Sequence, residues 1–126
     1  MREILFRGKT EYGEWVEGYL IHDEFCNVGV PYIGYLNWDG HNVDEVIPET
    51  VGQYTGLTDK NGKKIFEGDI ISVARADSDN IFYVCFMNHY AAFGLYDDQS
   101  ESYIDMFHSL SCLYTVIGNI HDNPEL

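Results

Sequence analysis

Basic residues are missing from the C-terminal part of this chain. Residues 76–126 contain eight Asp and Glu but no Lys or Arg, which gives this part a net charge of −8. Residues 1–75 hold all seven Lys and Arg beside thirteen acids, so the whole chain carries −14. Such a charge repels nucleic acid and anionic membranes and attracts basic partners. The acids form no contiguous block, so two interpretations stay open: simple solubility, or a surface that mimics DNA or binds a basic protein.

Cysteine is scarce, and its spacing excludes two kinds of site. The chain has Cys26, Cys85 and Cys112, an odd and widely spaced set with no CxxC pair. Neither a zinc knuckle nor a CxxC redox motif is therefore present, and reduced thiols in a cytoplasmic protein are expected. A chain of 126 residues buries roughly two-thirds of its unfolded surface on folding, so it needs no disulfide or metal for stability. We expect no cofactor and no metal.

Long apolar runs are also absent. No segment approaches the about 18 apolar residues of a membrane span, and the stretch Met1 to Ile4 has no secretory apolar region. The sequence therefore predicts no membrane association and a location in the cytoplasm.

Aromatic residues are abundant, at 15% of the chain, with ten Tyr and seven Phe. They suit pleated strands, and the stretch Trp15 to Ile21 alternates at strand period. Within it, Gly18 indicates a bulge or a close backbone approach. Further strands are predicted over 4–7, 28–36, 81–87, 91–96 and 114–120, with an extended stretch over 43–51. Pro31 favours an edge or interrupted strand, which could pair with a second copy of the chain.

These patterns predict a mainly β fold with at most one short helix, near 105–112. Two turns lie close together in the central segment. Asn61-Gly62 is a strong hairpin signal, with Gly62 in the left-handed position, and Glu67-Gly68-Asp69 turns the chain again. The predicted turn residues are Gly56, Asp59, Asn61, Gly62, Glu67, Gly68 and Asp69. SH3-like barrels use such short strands and tight corners, but composition does not distinguish that barrel from another small antiparallel fold. We expect an SH3-like β-barrel region over 51–126, packed with an N-terminal β region over 1–50; the two may form one integrated domain.

Candidate interaction residues fall into two groups. Lys60, Lys63 and Lys64 at the hairpin tip could contact phosphate groups, but several such contacts are needed for binding, and a solvated hairpin end explains them better. Tyr32, Tyr35 and Trp38 mark an interface if they are exposed and belong to the core if they are buried; we favour the core.

Catalytic and metal-binding patterns are weak. Glu67 and Asp69 could act as an acid–base pair, but turn chemistry explains them more simply. The pairs His108–Cys112 and Cys85–His89 supply two ligands each, fewer than zinc requires. No nucleophile elbow, phosphate-binding loop or dinucleotide fingerprint occurs. We therefore expect no catalytic residues, no cofactor-binding residues and no small-molecule substrate.

Three segments together resemble the YopX family of phage and prophage proteins from Gram-positive bacteria. They are REILFR at 2–7, VGQYTGLTDKNGKKIFEGDII at 51–71 and VIGNIHDNPEL at 116–126. The resemblance implies a mainly β protein with an SH3-like portion, encoded by a phage or prophage and located in the bacterial cytoplasm. It implies no reaction. We expect a non-enzymatic accessory protein that acts through a protein partner or self-association. The alternatives are an acidic inhibitor of a host nucleic-acid-binding protein, a weak nucleic-acid-linked factor that uses the Lys60–Lys64 hairpin, and an uncharacterised hydrolase, which would need a concave pocket with convergent polar groups.

Overall fold

A computed structural model describes residues 3–22, 30–73, 80–105, 113–124 and 126. Strands dominate these residues, so the predicted mainly β fold is confirmed. The chain divides into two compact units, Met1–Tyr54 and Thr55–Leu126.

The first unit contains an antiparallel sheet. Its elements are β1 (Phe6–Lys9), β2 (Trp15–His22), β3 (Pro31–Asn37), β4 (Gly40–Glu45), a short 3-10 helix (Pro48–Thr50) and the start of β5 (Gly52–Thr58). The strand order is β4-β3-β2-β1-β5. One face of this sheet holds Ile33, which is fully buried, and Val46 is buried as well. A Cβ on Gly18 would collide with the carbonyl oxygen of Gly34, so the predicted close backbone approach is confirmed.

Two predictions in the first unit are wrong. β3 is not an edge strand, because it pairs with β2 on one side and β4 on the other. Pro31 is tolerated there because it is the first residue of the strand, where a missing N–H costs least; the edge strand is β4. The predicted extended stretch over 43–51 is interrupted by the 3-10 helix, which begins at Pro48 and places the Thr50 N–H 3.0 Å from the Ile47 carbonyl oxygen.

The second unit contains the rest of β5 and six further strands. They are β6 (Lys64–Phe66), β7 (Asp69–Val73), β8 (Asn80–Met87), β9 (Ala92–Asp97), β10 (Ser102–Asp105) and β11 (Tyr114–Asn119). Five of these form an antiparallel sheet in the order β10-β9-β8-β7-β11, and β6 pairs with β5. A buried core cluster in this unit consists of Ile65, Ile71, Val73, Phe82, Val84, Leu95 and Tyr114. The predicted hairpin of β8 and β9 and the closing strand β11 are confirmed.

The sheet of the second unit ends in β10 and β11, which do not pair with each other in the described part of the chain. A closed SH3-like barrel therefore stays a prediction. β10 was not predicted from the sequence. The helix predicted near 105–112 falls on residues outside the described ranges, apart from Asp105, which ends β10.

Candidate functional site

The strand registers of the first sheet place a set of apolar side chains on one face. Residues directly opposite each other in an antiparallel pair lie on the same face of the sheet. Tyr19 is opposite Gly34, which is opposite Val43, and Ile21 is opposite Tyr32. Leu36, two residues beyond Gly34, has the same orientation. We call Tyr19, Ile21, Tyr32, Leu36 and Val43 the outer face.

The outer face is open to solvent. Tyr19 is 73% exposed, Leu36 70%, Val43 56% and Ile21 40%, and Trp38 at the neighbouring β3–β4 turn is 93% exposed. Single exposed apolar residues are normal, but a contiguous group of large ones marks an interaction surface. This cluster is the strongest candidate for a functional surface in the described part of the first unit.

Acidic side chains border the outer face. Glu17 lies on the same face of β2 as Tyr19, and Glu45 is opposite Tyr32 on β4. Both carboxylates are exposed, as is Asp39 next to Trp38. An apolar centre with a charged rim is the usual anatomy of a protein interface. The exposed carboxylates here are negative, and on the β1 side Glu17 is directly opposite the buried Arg7.

Of the three aromatic residues that the sequence suggested for an interface, Tyr35 lies apart from the other two. Tyr32 lies on the outer face, whereas Tyr35 lies on the opposite face and its hydroxyl donates a 2.7 Å hydrogen bond to Asp44 Oδ2. That hydrogen bond, followed by burial and the charges of Asp44 and Glu14, raises the pKa of Tyr35. The expectation of a core position is wrong for Trp38, which is almost fully exposed.

The first unit also contains a cavity of about 410 Å³. The residues that line it include the acidic Glu11, Glu14, Asp44 and Glu45 and the apolar Val46. At its edge, Thr10 Oγ1 accepts a 3.2 Å hydrogen bond from the Glu14 N–H, so this hydroxyl holds the β1–β2 turn. The lining attracts cations and repels anions.

In the second unit, the central segment forms the predicted hairpin. Gly62 has a φ of 82°, which confirms its left-handed position. Asp59 is buried and organises the turn: its Oδ1 accepts hydrogen bonds of 2.9 Å from the N–H groups of Asn61 and Lys63. Its Oδ2 accepts a third, of 3.0 Å, from the Val116 N–H.

The hydrogen bonds to Asp59 determine its pKa. Burial by itself raises the pKa of this carboxyl, but the three backbone donors and the charge of Lys63 outweigh burial, so the pKa lies below its ordinary value. Lys60 and Lys63 are exposed at the hairpin tip and Lys64 is half-buried. The hydrogen bonds to Asp59 therefore stabilise the hairpin that carries these lysines.

The second predicted turn, Glu67-Gly68-Asp69, is held by hydrogen bonds to neighbouring backbone groups. Asp69 is 1% exposed, and its Oδ2 accepts a 2.8 Å hydrogen bond from the Phe66 N–H. Gly68, with a φ of 89°, donates its N–H to the Val84 carbonyl and accepts from the Ile120 N–H. These contacts agree with turn chemistry for Asp69.

Metal-ligand candidates do not assemble in the described ranges. No group of three or more His, Cys, Asp or Glu side chains in those ranges could hold a metal ion. Cys85 is half-buried with its Sγ 3.7 Å from the Gly94 carbonyl oxygen, and His89 is exposed. His108 and Cys112 lie outside the described residues. None of the helical residues in the described part of the chain forms a segment long and apolar enough to cross a membrane.

Most residues of the outer face were not singled out from the sequence. The alternation of Trp15 to Ile21 grouped Tyr19 and Ile21 correctly, but an alternating pattern does not show which face is covered. Leu36 and Val43 gave no separate signal, because an exposed and a buried apolar residue look identical in sequence.

Comparison with known proteins gives a family and a fold. The family model described as "YopX protein" matches residues 5–126. The crystal structure of protein EF1440 from Enterococcus faecalis superposes with a TM-score of 0.61 at 24% sequence identity, over 99% of this chain and 98% of that one. No curated protein matches this chain. Since the family model covers nearly the whole sequence, the chain belongs to the YopX family.

Proposed function

We propose that this YopX-family chain is a non-enzymatic accessory protein that acts by binding another protein through the outer face of its first sheet. The observation that supports this proposal is the exposure of Tyr19 and Leu36, each at least 70%. Exposed apolar surface is unfavourable in water. When a partner covers it, the complex is stabilised by about 25 cal/mol for each Å² of apolar area removed from water. Tyr and Trp are also the residue types most enriched at the centres of interfaces.

The partner that fits this surface is basic or carries a basic rim. Glu17, Asp39 and Glu45 are exposed beside the apolar centre, and the first 54 residues contain ten acids against three Lys and Arg. Opposite charge speeds association and suppresses unsuitable partners. Self-association through β4 is the second route, because an edge strand presents unpaired backbone groups; the net charge of −14 per copy opposes it.

The absence of catalysis is part of the proposal. Glu67 and Asp69 are the best candidate carboxylate pair in the sequence. Asp69 is buried, and its carboxylate accepts a hydrogen bond from the Phe66 N–H. Asp59 is likewise saturated by backbone donors. The cavity lined by Glu14 and Asp44 has an acidic lining that would attract cations. We assign it no substrate.

The setting that we propose is a phage or prophage gene expressed in the bacterial cytoplasm. Membership of the YopX family supports this setting. Within it, the net charge of −14 favours one alternative function: an acidic inhibitor that occupies a basic, nucleic-acid-binding host protein. A direct nucleic-acid role through Lys60, Lys63 and Lys64 is less well supported, because Lys60 and Lys63 are exposed but Lys64 is half-buried.

The test is affinity capture with three tagged baits in the bacterium that carries the gene. They are the wild type, the double variant Tyr19→Ser/Leu36→Ser, and the control Tyr90→Ser, whose tyrosine is 75% exposed in the second unit. The proposal predicts one protein that the wild type and the control retain and the double variant loses. Equal recovery with all three baits would rule out the outer face as the contact surface. If that protein is a DNA- or RNA-binding protein whose nucleic-acid binding the chain blocks, the inhibitor alternative is correct.

A further inference from the structure

Three tyrosines form a row across the second sheet. Tyr83 on β8 is directly opposite Tyr96 on β9, and Tyr96 is directly opposite Tyr103 on β10. The three side chains therefore lie on one face of the sheet. This row is a separate feature from the outer face, because it belongs entirely to the second unit.

One end of the row is held by a hydrogen bond, and the other end is exposed to solvent. The Tyr83 hydroxyl donates a 2.9 Å hydrogen bond to the Leu126 carbonyl oxygen. Tyr96 is half-buried, and its ring centroid lies 4.9 Å from that of Tyr103 with the ring planes tilted by 48°. Tyr103 is 62% exposed and lies on β10, the end strand of the sheet. The open end presents two neighbouring aromatic rings to solvent.

The turn that joins β9 to β10 adds negative charge beside these rings. It contains Asp97, Asp98 and Glu101 within five residues, and Asp98 and Glu101 are exposed. Asp97 holds the turn, since its Oδ1 accepts from the Gln99 N–H at 3.0 Å and its Oδ2 from the Ser100 hydroxyl at 2.9 Å. Burial and then the charges of Glu101 and Asp98 raise the pKa of Tyr96.

We propose that the open end of the tyrosine row, Tyr96 and Tyr103 with the acidic turn 97–101, binds Lys or Arg side chains of a basic protein segment. A cation over the face of a tyrosine ring is attracted by the ring's quadrupole. Carboxylates beside the ring add Coulomb attraction and can accept hydrogen bonds from a guanidinium or ammonium group. The rings supply apolar contact for the long stem of the same side chain. A basic segment satisfies all three features at once.

Charge decides between this occupant and two others. Aromatic side chains also stack on nucleic-acid bases, but such surfaces lie in positively charged grooves, and residues 76–126 contain no Lys or Arg. A second copy of the chain would also carry a net charge of −14. Like charges oppose its association with an acidic surface. A basic partner is the occupant that the electrostatics favour.

The experiment measures fluorescence anisotropy of a labelled arginine–glycine repeat peptide titrated with the full chain at low salt. The variants are Tyr103→Ala, Tyr103→Phe, and Asp98→Asn/Glu101→Gln, with Tyr90→Ala as an exposed control outside the row. We expect saturable binding that weakens with added salt. Tyr103→Ala should weaken it about two- to fivefold, the double carboxylate variant should weaken it as well, and Tyr103→Phe and Tyr90→Ala should retain it.

Three results would overturn the proposal. One is no binding of the peptide at low salt. Another is equal binding by the wild type and Tyr103→Ala, which would reduce the interaction to unspecific charge attraction. The last is a Tyr103-dependent dimer in sedimentation, or Tyr103-dependent binding of an oligothymidine, either of which would assign the row to a different occupant. Melting curves of the variants are the control for folding. If they match the wild type, the changes in peptide binding arise at the surface and not from unfolding.

Discussion

Asp59 and Val116 are 57 positions apart in the sequence, and a 3.0 Å hydrogen bond joins the Val116 N–H to Asp59 Oδ2. The same carboxylate holds the turn of its own hairpin through Asn61 and Lys63. One side chain therefore fixes a local turn and attaches it to the last strand of the second unit. The Lys60 N–H, which donates to the Tyr114 carbonyl at 3.0 Å, reinforces this attachment.

Replacing Asp59 should destabilise the second unit strongly. Asp59→Ala removes the acceptor from three backbone N–H groups, and a buried donor without a partner costs about 1–3 kcal/mol. We expect a loss of about 2–4 kcal/mol in the free energy of unfolding, measured by urea denaturation. Asp39→Ala at the exposed β3–β4 turn is the matched control and should change stability by less than about 0.5 kcal/mol. Similar denaturation midpoints for the two variants would show that Asp59 is not a structural centre.

The stability of the folded chain should depend on pH through the ionisation of Asp59. Its pKa in the folded chain lies below the ordinary value of 3.8, so the folded state favours the ionised carboxylate. That contribution is complete above the unfolded pKa and is lost as the pH falls through the lower folded pKa. In denaturation series, the stability difference between the wild type and Asp59→Asn should be constant near neutral pH and shrink below about pH 4. A difference that grows on acidification would contradict the assigned direction.

Gly62 should resist substitution for a purely conformational reason. Its φ is 82°, and a Cβ added there would meet no atom within 4 Å, so any cost arises from the backbone alone. Gly62→Val should lower stability by more than about 1 kcal/mol, because a β-branched residue is strained at positive φ. Gly62→Asn should cost less, since Asn tolerates this region better. Equal melting temperatures for both variants and the wild type would contradict the turn.

Cys85 should react slowly with alkylating reagents. Burial, followed by the negative charge of Glu67, raises the pKa of its thiol, and only the thiolate is nucleophilic. In a Cys26→Ser/Cys112→Ser background, iodoacetamide at pH 8 should modify Cys85 more slowly than it modifies free cysteine. Adding Glu67→Gln should raise the rate, while Glu49→Gln, an exposed position in the first unit, should leave it unchanged. A rate equal to that of free cysteine would contradict the raised pKa.

Local features were predictable from the sequence because their causes are local. The turns at Gly62 and Gly68 follow from the freedom of glycine at positive φ, and both have it, at 82° and 89°. The alternation of Trp15 to Ile21 likewise predicted β2. Each of these depends on a few neighbouring residues and not on the partner strand.

Non-local features were not predictable in the same way. The position of β3 inside the sheet depends on β2 and β4 lying on both of its sides, which no property of Pro31 reveals. β10 has four residues directly after an acidic turn, too short for alternation to show. The outer face and the tyrosine row appear only when the register places residues from separate strands side by side.

The central claim, that the outer face contacts another protein, is tested most directly by photo-crosslinking in cells of the organism that carries the gene. A photoreactive amino acid is placed at Leu36 on the outer face, and at Glu49 as an exposed control in the 3-10 helix of the same unit. We predict a discrete crosslinked species from Leu36 that is absent from Glu49 and lost with Tyr19→Ser. No crosslink from Leu36, or the same products from both positions, would contradict the assignment of the outer face as the binding surface.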